Sequence, residues 1–156
     1  MTYDKLRKRY LKKHKKLKEP RQGFSSLHNS LWLAYSMGIV RGFTDLGTYV
    51  DKPGSHGWND AKRMAAAFDL GRKDRFLFRG WNYIKARRLV RLYVKHHEAL
   101  GIEYVILGMK IWSRREWKEN RGPKAWSKEL GWHRYQGDTS HMFHVHVEGQ
   151  IAHQEV

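Results

Sequence analysis

The chain has 156 residues, of which 40% are apolar and 13% aromatic, a composition that indicates one packed domain and excludes a disordered chain. It contains no cysteine, which excludes disulfides and thiolate metal sites, so a bound metal would have to use His, Asp or Glu. Lys and Arg outnumber Asp and Glu by 31 to 15, and the net charge of +16 predicts attraction to polyanions, either nucleic acid or anionic wall polymers.

Basic residues dominate between Lys5 and Arg21, and the first predicted element is a helix in this segment that ends at Pro20, whose ring cannot continue a helix. We treat residues 1–22 as a basic N-terminal arm whose charges mainly solubilise the chain, and residues 23–156 as one domain. The arm lacks the continuous apolar stretch of a secretory signal, and no window approaches the roughly 18 apolar residues of a membrane span. We therefore expect a protein that is made and kept in a cytoplasm.

The later elements are predicted from hydrophobic periodicity, capping residues and glycine. In chain order they are a helix capped by Ser26 and ended by Gly38, glycine-rich loops around short extended pieces over residues 40–59, and an apolar run over 65–70, which could be a strand or a helix end and whose length favours a strand. They continue with the longest helix over 81–100 with Gly101 as its cap, a hairpin of strands 104–107 and 110–113, and a last strand over 141–148. His96 and His97 are assigned to the helix surface or to packing, and Trp112 and Trp132 to the core.

Apolar and polar residues alternate along the last strand. Because successive side chains point to opposite faces of a strand, His144, His146 and Glu148 must share one face. Two imidazoles at this spacing are a common way to offer metal ligands, or a ligand beside a base. Histidines on a polar sheet face can equally bind nothing, so this spacing alone leaves the question open.

Two upstream features favour a metal. Asp69 interrupts an apolar run, where a carboxylate would cost several kcal/mol unless a cation were paired with it. His56 follows Ser55 in a glycine-flanked loop. A hydrolytic zinc site takes three protein ligands and leaves a fourth position for water, and His56, Asp69 and His146 meet this requirement. His144 is then placed to accept and return a proton, with Glu148 and His141 as other candidates for that role.

Three segments carry a resemblance to a known family. The runs SHGWNDAKRMAAAFDLG, EYVILGMKIWS and WHRYQGDTSHMFHVHVEG, spanning residues 55–149, resemble the D-alanyl-D-alanine carboxypeptidase-like branch of the LAS zinc peptidases, especially the versions found in phages of actinobacteria. The resemblance implies an α+β fold, a small antiparallel sheet flanked by helices. It also implies cleavage of peptide bonds in bacterial peptidoglycan, as by a phage endolysin. The family's ligands fall on His56, Asp69 and His146, and its catalytic histidine falls on His144.

The sequence departs from the family pattern at three places. The distance from His56 to Asp69 exceeds the usual H-x6-D spacing, which makes Asp60 a rival ligand, although a loop Asp at this position is also typical of a helix cap. Gly54 replaces the usual Ser two residues before the histidine. Phe143 stands where phage versions often carry an acidic residue, which would hydrogen-bond to a metal-ligating side chain. Asp138 or His141 would have to take the place of that acidic residue.

Substrate contacts are predicted at Arg41, which would bind a substrate carboxylate or an oxyanion, and at Tyr135. The expected substrates are peptidoglycan stem peptides or cross-bridges, cut by a monomeric carboxypeptidase or endopeptidase. Without a signal peptide, such an enzyme would be released at lysis or carried on a phage virion. The enzymatic rival is a magnesium- or manganese-dependent nuclease, and the non-enzymatic rival is a wall-binding or virion structural protein with a degenerate site.

Overall fold

The computed structural model describes residues 1–15, 29–47, 67–72, 80–115, 132–135 and 144–150, which form an α+β domain. Its helices are α1 (Tyr3–Lys13), α2 (Trp32–Ile39), α3 (Gly80–Lys95) and α4 (His97–Leu100), with a 3₁₀ turn at Asn29–Leu31 before α2. Its strands are β1 (Thr44–Gly47), β2 (Ala67–Gly71), β3 (Ile102–Leu107), β4 (Lys110–Ser113), β5 (Trp132–Arg134) and β6 (His144–Gly149). The expected fold class, an antiparallel sheet flanked by helices, is confirmed.

The six strands form one sheet in the order β1-β2-β6-β3-β4-β5, and every pairing is antiparallel. The strand β6 therefore lies in the middle of the sheet, between β2 and β3. Asp69 of β2 and Ile106 of β3 both lie directly opposite His146, and Tyr104 lies opposite Glu148. Since residues directly opposite one another project from the same face, these side chains share one face with His144.

The other face of the sheet carries the hydrophobic core. Helix α3 contributes apolar side chains three and four residues apart, the spacing of one helix face. They are Ala86, Leu89, Val90, Tyr93 and Val94. From the sheet they meet Phe68, Leu70, Val105, Leu107, Val145 and Val147. The helices thus cover one face of the sheet, and the polar residues of β6 lie on the opposite face.

Helix α2 packs closely against this layer at Gly38. A Cβ at Gly38 would overlap Cδ1 of Leu70 and lie 3.1 Å from the hydroxyl oxygen of Tyr93. The Tyr93 hydroxyl donates a hydrogen bond to the carbonyl of Ala34 in the same helix, at 2.6 Å. The expectation that Gly38 ends this helix is therefore wrong: Gly38 lies inside the last turn, where its missing side chain allows close packing. The helix also begins later than predicted, at Trp32 with Leu31 as its N-cap, so the predicted cap Ser26, which lies outside the described residues, is not the N-cap of α2.

Helix α1 is shorter than predicted and belongs to the core. It starts after Thr2, whose side chain accepts a hydrogen bond from the Lys5 N–H. It ends at Lys13 rather than at Pro20, because His14 adopts a non-helical backbone conformation. Leu6 and Tyr10 are buried in the core, so this part of the arm packs on the domain with its basic side chains outward. The predicted boundary at residue 22 lies outside the described residues.

The remaining elements largely follow the predictions. The predicted long helix is divided at His96, whose backbone leaves the helical region between α3 and α4, and Gly101 caps α4 with a left-handed φ of 66°. The hairpin of β3 and β4 is confirmed, as are the strands containing Asp69 and His146. His97 and Trp112 are buried, as expected for packing residues. No helix within the described ranges is long and apolar enough to cross a membrane.

Candidate metal centre

The candidate site is assembled by two neighbouring strands. Asp69 stands in the middle of β2, and the direct pairing of Asp69 with His146 brings its carboxylate beside the imidazole. His144 lies two residues before His146 and therefore on the same face of β6. The neighbours of Asp69 in β2, Phe68 and Leu70, point into the core, which explains why one carboxylate interrupts an apolar run.

The donor atoms of these three residues converge. The Nδ1 of His146 is 2.8 Å from Oδ1 of Asp69, and the Nε2 of His144 is 3.4 Å from the same oxygen. One donor atom from each residue lies within 4.8 Å of the others. Zinc bonds of about 2.0–2.2 Å in a tetrahedral arrangement hold ligand atoms roughly 3.3–3.6 Å apart. The Asp69 oxygen and the Nδ1 of His146 therefore fit a shared zinc ion after a small shift of the side chains, and the His144 ring lies within reach of the same position.

A second carboxylate lies on the other side of the His146 ring. Oε2 of Glu148 is 3.5 Å from the Nε2 of His146 and accepts a hydrogen bond from the Tyr104 hydroxyl. The Tyr104 ring also stacks on the His146 ring, with their centroids 5.7 Å apart. Glu148 is only 5% exposed and His146 only 6%. The imidazole is thus enclosed by two carboxylates and an aromatic ring.

The charges around His146 favour its protonated form when no metal is bound. Burial by itself lowers the pKa of His146, but the hydrogen bonds and negative charges of Asp69 and Glu148 outweigh burial and raise that pKa to about 9. Burial and the adjacent Glu148 carboxylate also raise the pKa of the Tyr104 hydroxyl well above its ordinary value. The Tyr104 hydroxyl therefore stays protonated at neutral pH and donates a hydrogen bond to Glu148.

Of the residues predicted to bind substrate, Tyr135 is near the cluster. Its backbone N–H donates to the carbonyl of Met109 at 2.7 Å, which extends the edge of the sheet. Its side chain is close enough to Tyr104 to contribute to the raised pKa of the Tyr104 hydroxyl. The side chain of Tyr135 is partly exposed, as a substrate contact requires.

Arg41 lies in the helical layer. Its Nη1 donates to the Tyr10 hydroxyl at 2.7 Å and to the Met37 carbonyl at 2.8 Å. These bonds join α1 to the end of α2 on the side of the sheet that carries the core. The structure does not group Arg41 with Asp69 and His146, and its described contacts are those of a residue that stabilises the helix packing.

Several predicted site residues lie outside the described residues. They are the ligand His56, its rival Asp60, and the two hydrogen-bonding candidates Asp138 and His141. Among the described residues the structure brings together Asp69, His144 and His146, three of the four residues predicted to form the zinc site and its base. The role of each stays a prediction.

No family model, curated protein or solved structure matches this chain. The resemblance to the LAS peptidases therefore rests on the quoted motifs.

Sequence reasoning missed Tyr104 and gave Glu148 only a secondary place. Both belong to strands that were predicted, although alternation was recognised only in the strand of Glu148, and each lies on the polar face. The missing information was the register of β3 against β6, which pairs Tyr104 with Glu148 across 44 positions of the chain. The sequence offered one indication. If the last strand lies in the middle of the sheet, its acidic residue beside the histidines is buried and needs a hydrogen-bond partner.

Proposed function

We propose that this chain is a zinc-dependent peptidase that cleaves peptide bonds in bacterial peptidoglycan. The observation that carries the proposal is the convergence of Asp69, His144 and His146 on one face of the sheet. One carboxylate and two imidazoles meet there from two strands, and Asp69 is directly paired with His146. The resemblance of residues 55–149 to the LAS peptidases supports the same chemistry and supplies the choice of peptidoglycan as substrate.

The donor set favours zinc over magnesium or calcium. Two of the three proposed ligands, His56 and His146, offer imidazole nitrogens, which suit zinc, whereas magnesium and calcium prefer oxygen ligands. In addition, the partial burial of the cluster strengthens the interaction of its charged groups with a cation. These features count against the rival proposal of a magnesium-dependent nuclease.

Each residue has a distinct role in the proposed mechanism. Asp69 and His146, with His56 as the ligand expected from the sequence, would hold the zinc. When bound, the metal supplies a Lewis acid that activates water and polarises the scissile carbonyl. His144 accepts a proton and returns it to the leaving amine. Tyr135, at the edge of the sheet, would contact the substrate.

Charge on the helices supports attachment to an anionic polymer. Exposed basic side chains occupy the outer surfaces of α1 and α3, namely Lys5, Lys8, Arg9, Lys12 and Lys13 of α1, and Lys85, Arg87, Arg88, Arg91 and Lys95 of α3. Because the helices cover the face opposite the candidate site, such a polymer would bind without covering the cluster. We propose anionic wall polymers as this partner, with the enzyme made in a bacterial cytoplasm and reaching the wall at phage lysis or on a virion.

The test measures the metal content of the protein together with its ability to clear a suspension of purified peptidoglycan. The purified protein and the His146→Ala variant are analysed for zinc, and both are assayed on purified peptidoglycan before and after chelation. We expect stoichiometric zinc and chelator-sensitive clearing, both lost in the variant. His96→Ala, the same chemical change at the junction of α3 and α4, is the matched control and should keep both properties.

Other outcomes would point to the rival functions. Cleavage of nucleic acid that requires magnesium or manganese, without clearing of the wall, would identify a nuclease. A protein that holds no metal and clears no wall, yet sediments with peptidoglycan, would be a wall-binding protein. Full clearing by His146→Ala would refute the proposed ligand set.

A further inference from the structure

His146 faces a different carboxylate at each ring nitrogen. Its Nδ1 lies 2.8 Å from Asp69, whereas its Nε2 lies 3.5 Å from Glu148. A neutral imidazole offers one nitrogen as a ligand and carries its hydrogen on the other. The two sides of the ring therefore cannot have the same function once a metal is bound.

The surroundings of the two nitrogens distinguish these functions. On the Nδ1 side lie Oδ1 of Asp69, the other described ligand of the proposed zinc, and Nε2 of His144, the proposed base. On the Nε2 side, the Glu148 oxygen nearest the ring already accepts a hydrogen bond from Tyr104. The groups that face Nδ1 thus resemble those of a metal site. The group that faces Nε2 is a hydrogen-bond acceptor held in a fixed position by Tyr104.

Tyr104 is positioned to hold Glu148. It lies directly opposite Glu148 in the antiparallel pairing of β3 with β6, so both side chains project from the same face. Its hydroxyl donates to the carboxylate while its ring stacks on the imidazole, and these two contacts fix both groups relative to each other. Glu148 is nearly fully buried, a costly place for a carboxylate unless such partners compensate for lost water.

We propose that Glu148 and Tyr104 are positioning residues for the metal ligand His146. Glu148 accepts the Nε2–H bond of the imidazole, which keeps the hydrogen on Nε2, leaves Nδ1 to bind the metal and fixes the orientation of the ring. Tyr104 holds the Glu148 carboxylate in place. This inference rests on the proposed metal site and adds two residues to it. Carboxylates that hold a ligating histidine in this way typically change metal affinity by about 10–100-fold when removed.

The first experiment identifies the ligating nitrogen in the unaltered protein. Cadmium replaces zinc, both metal and histidine nitrogens carry NMR-active isotopes, and scalar coupling is measured between cadmium and each ring nitrogen. We expect coupling to Nδ1 of His146 and a hydrogen retained on Nε2. Coupling to Nε2 instead would overturn the inference while preserving the metal site. Absence of cadmium and zinc binding would overturn both the inference and the proposed function.

The second experiment measures metal affinity in variants. Glu148→Gln keeps the shape of the side chain but removes its charge, and Tyr104→Phe removes only the hydroxyl. Both should weaken zinc and cadmium binding by about 10–100-fold, measured by competition with a chromophoric chelator. Glu98→Gln, an exposed change in α4, is the matched control and should bind as tightly as the unaltered protein.

Tyr104→Phe also serves if Glu148→Gln does not fold, because it keeps the aromatic ring that stacks on His146. Unchanged metal affinity in a folded Tyr104→Phe or Glu148→Gln protein would refute the corresponding positioning role. Weakened affinity together with altered cadmium coupling at His146 would separate positioning from a general loss of stability, since a structural effect alone would leave the ligating nitrogen unchanged.

Discussion

The metal-free protein should lose stability as the pH rises from about 6.5 to about 9, because of His146. In the folded chain the carboxylates of Asp69 and Glu148 raise the pKa of His146 to about 9, whereas the ordinary value is 6.5. Between these values the folded state holds a proton that the unfolded state has released. The free energy of unfolding therefore falls with rising pH over this interval.

The size of the effect follows from the two pKa values. They differ by about 2.5, and each unit of pKa corresponds to about 1.4 kcal/mol, so the total loss of stability is about 3–4 kcal/mol, of which about 3 kcal/mol falls between pH 6 and 9.5. The contribution is fully present below pH 6.5 as long as Asp69 and Glu148 stay ionised. Because the side chain of His146 is buried, little of this energy is lost to solvent screening.

The measurement is urea denaturation followed by tryptophan fluorescence, with a chelator present, at pH values from 6 to 9.5. His146→Gln is the reference, because it lacks the titrating ring while other groups titrate as before. We expect the unaltered protein to lose about 3 kcal/mol more than the variant over this range. Parallel pH profiles for the two proteins would refute the argument that the two carboxylates hold a protonated imidazole.

Three further predictions concern the metal and the packing. Zinc affinity should rise with pH up to about 9, since zinc must displace the proton of His146, and calorimetry in buffers of different ionisation enthalpy should detect the released proton. His144→Ala should keep its zinc but clear peptidoglycan at least 100-fold more slowly, as loss of a proton-transferring group predicts, whereas loss of the zinc would identify His144 as a ligand. Gly38→Ala should destabilise the fold by about 1–3 kcal/mol in thermal unfolding, because the added methyl group overlaps Leu70, and an unchanged midpoint would contradict that packing.

Local patterns allowed much of the sheet and part of the site to be predicted. Alternation in β6 separated His144 and His146 from the core residues Val145 and Val147, and it did so without knowledge of the neighbouring strands. Asp69 was identified because a carboxylate in an apolar strand requires a partner. Both arguments depend on the period of a strand and on the cost of burying charge, and these are properties that a short segment reveals.

The parts that were missed depend on long-range packing. Nothing in the basic segment around Leu6 and Tyr10 reveals that these two side chains reach the core, because their partners lie on other elements. The helix end at Gly38 was misplaced for a similar reason: a glycine that stops a helix and one that admits Leu70 look alike in sequence. The partnership of Tyr104 with Glu148 required the register of two strands, which local periodicity does not determine.

The central position of β6 has a consequence for synthesis of the protein. During translation, β2 and β3 emerge from the ribosome long before residues 144–149 and cannot complete the sheet until β6 is inserted between them. Contacts between residues as distant as Asp69 and His146, 77 positions apart, make this insertion slow compared with helix formation. A nascent chain that stops before residue 144 would expose two strand edges and lack both histidines of the cluster. The metal-binding cluster and the completed sheet should therefore appear together, late in folding.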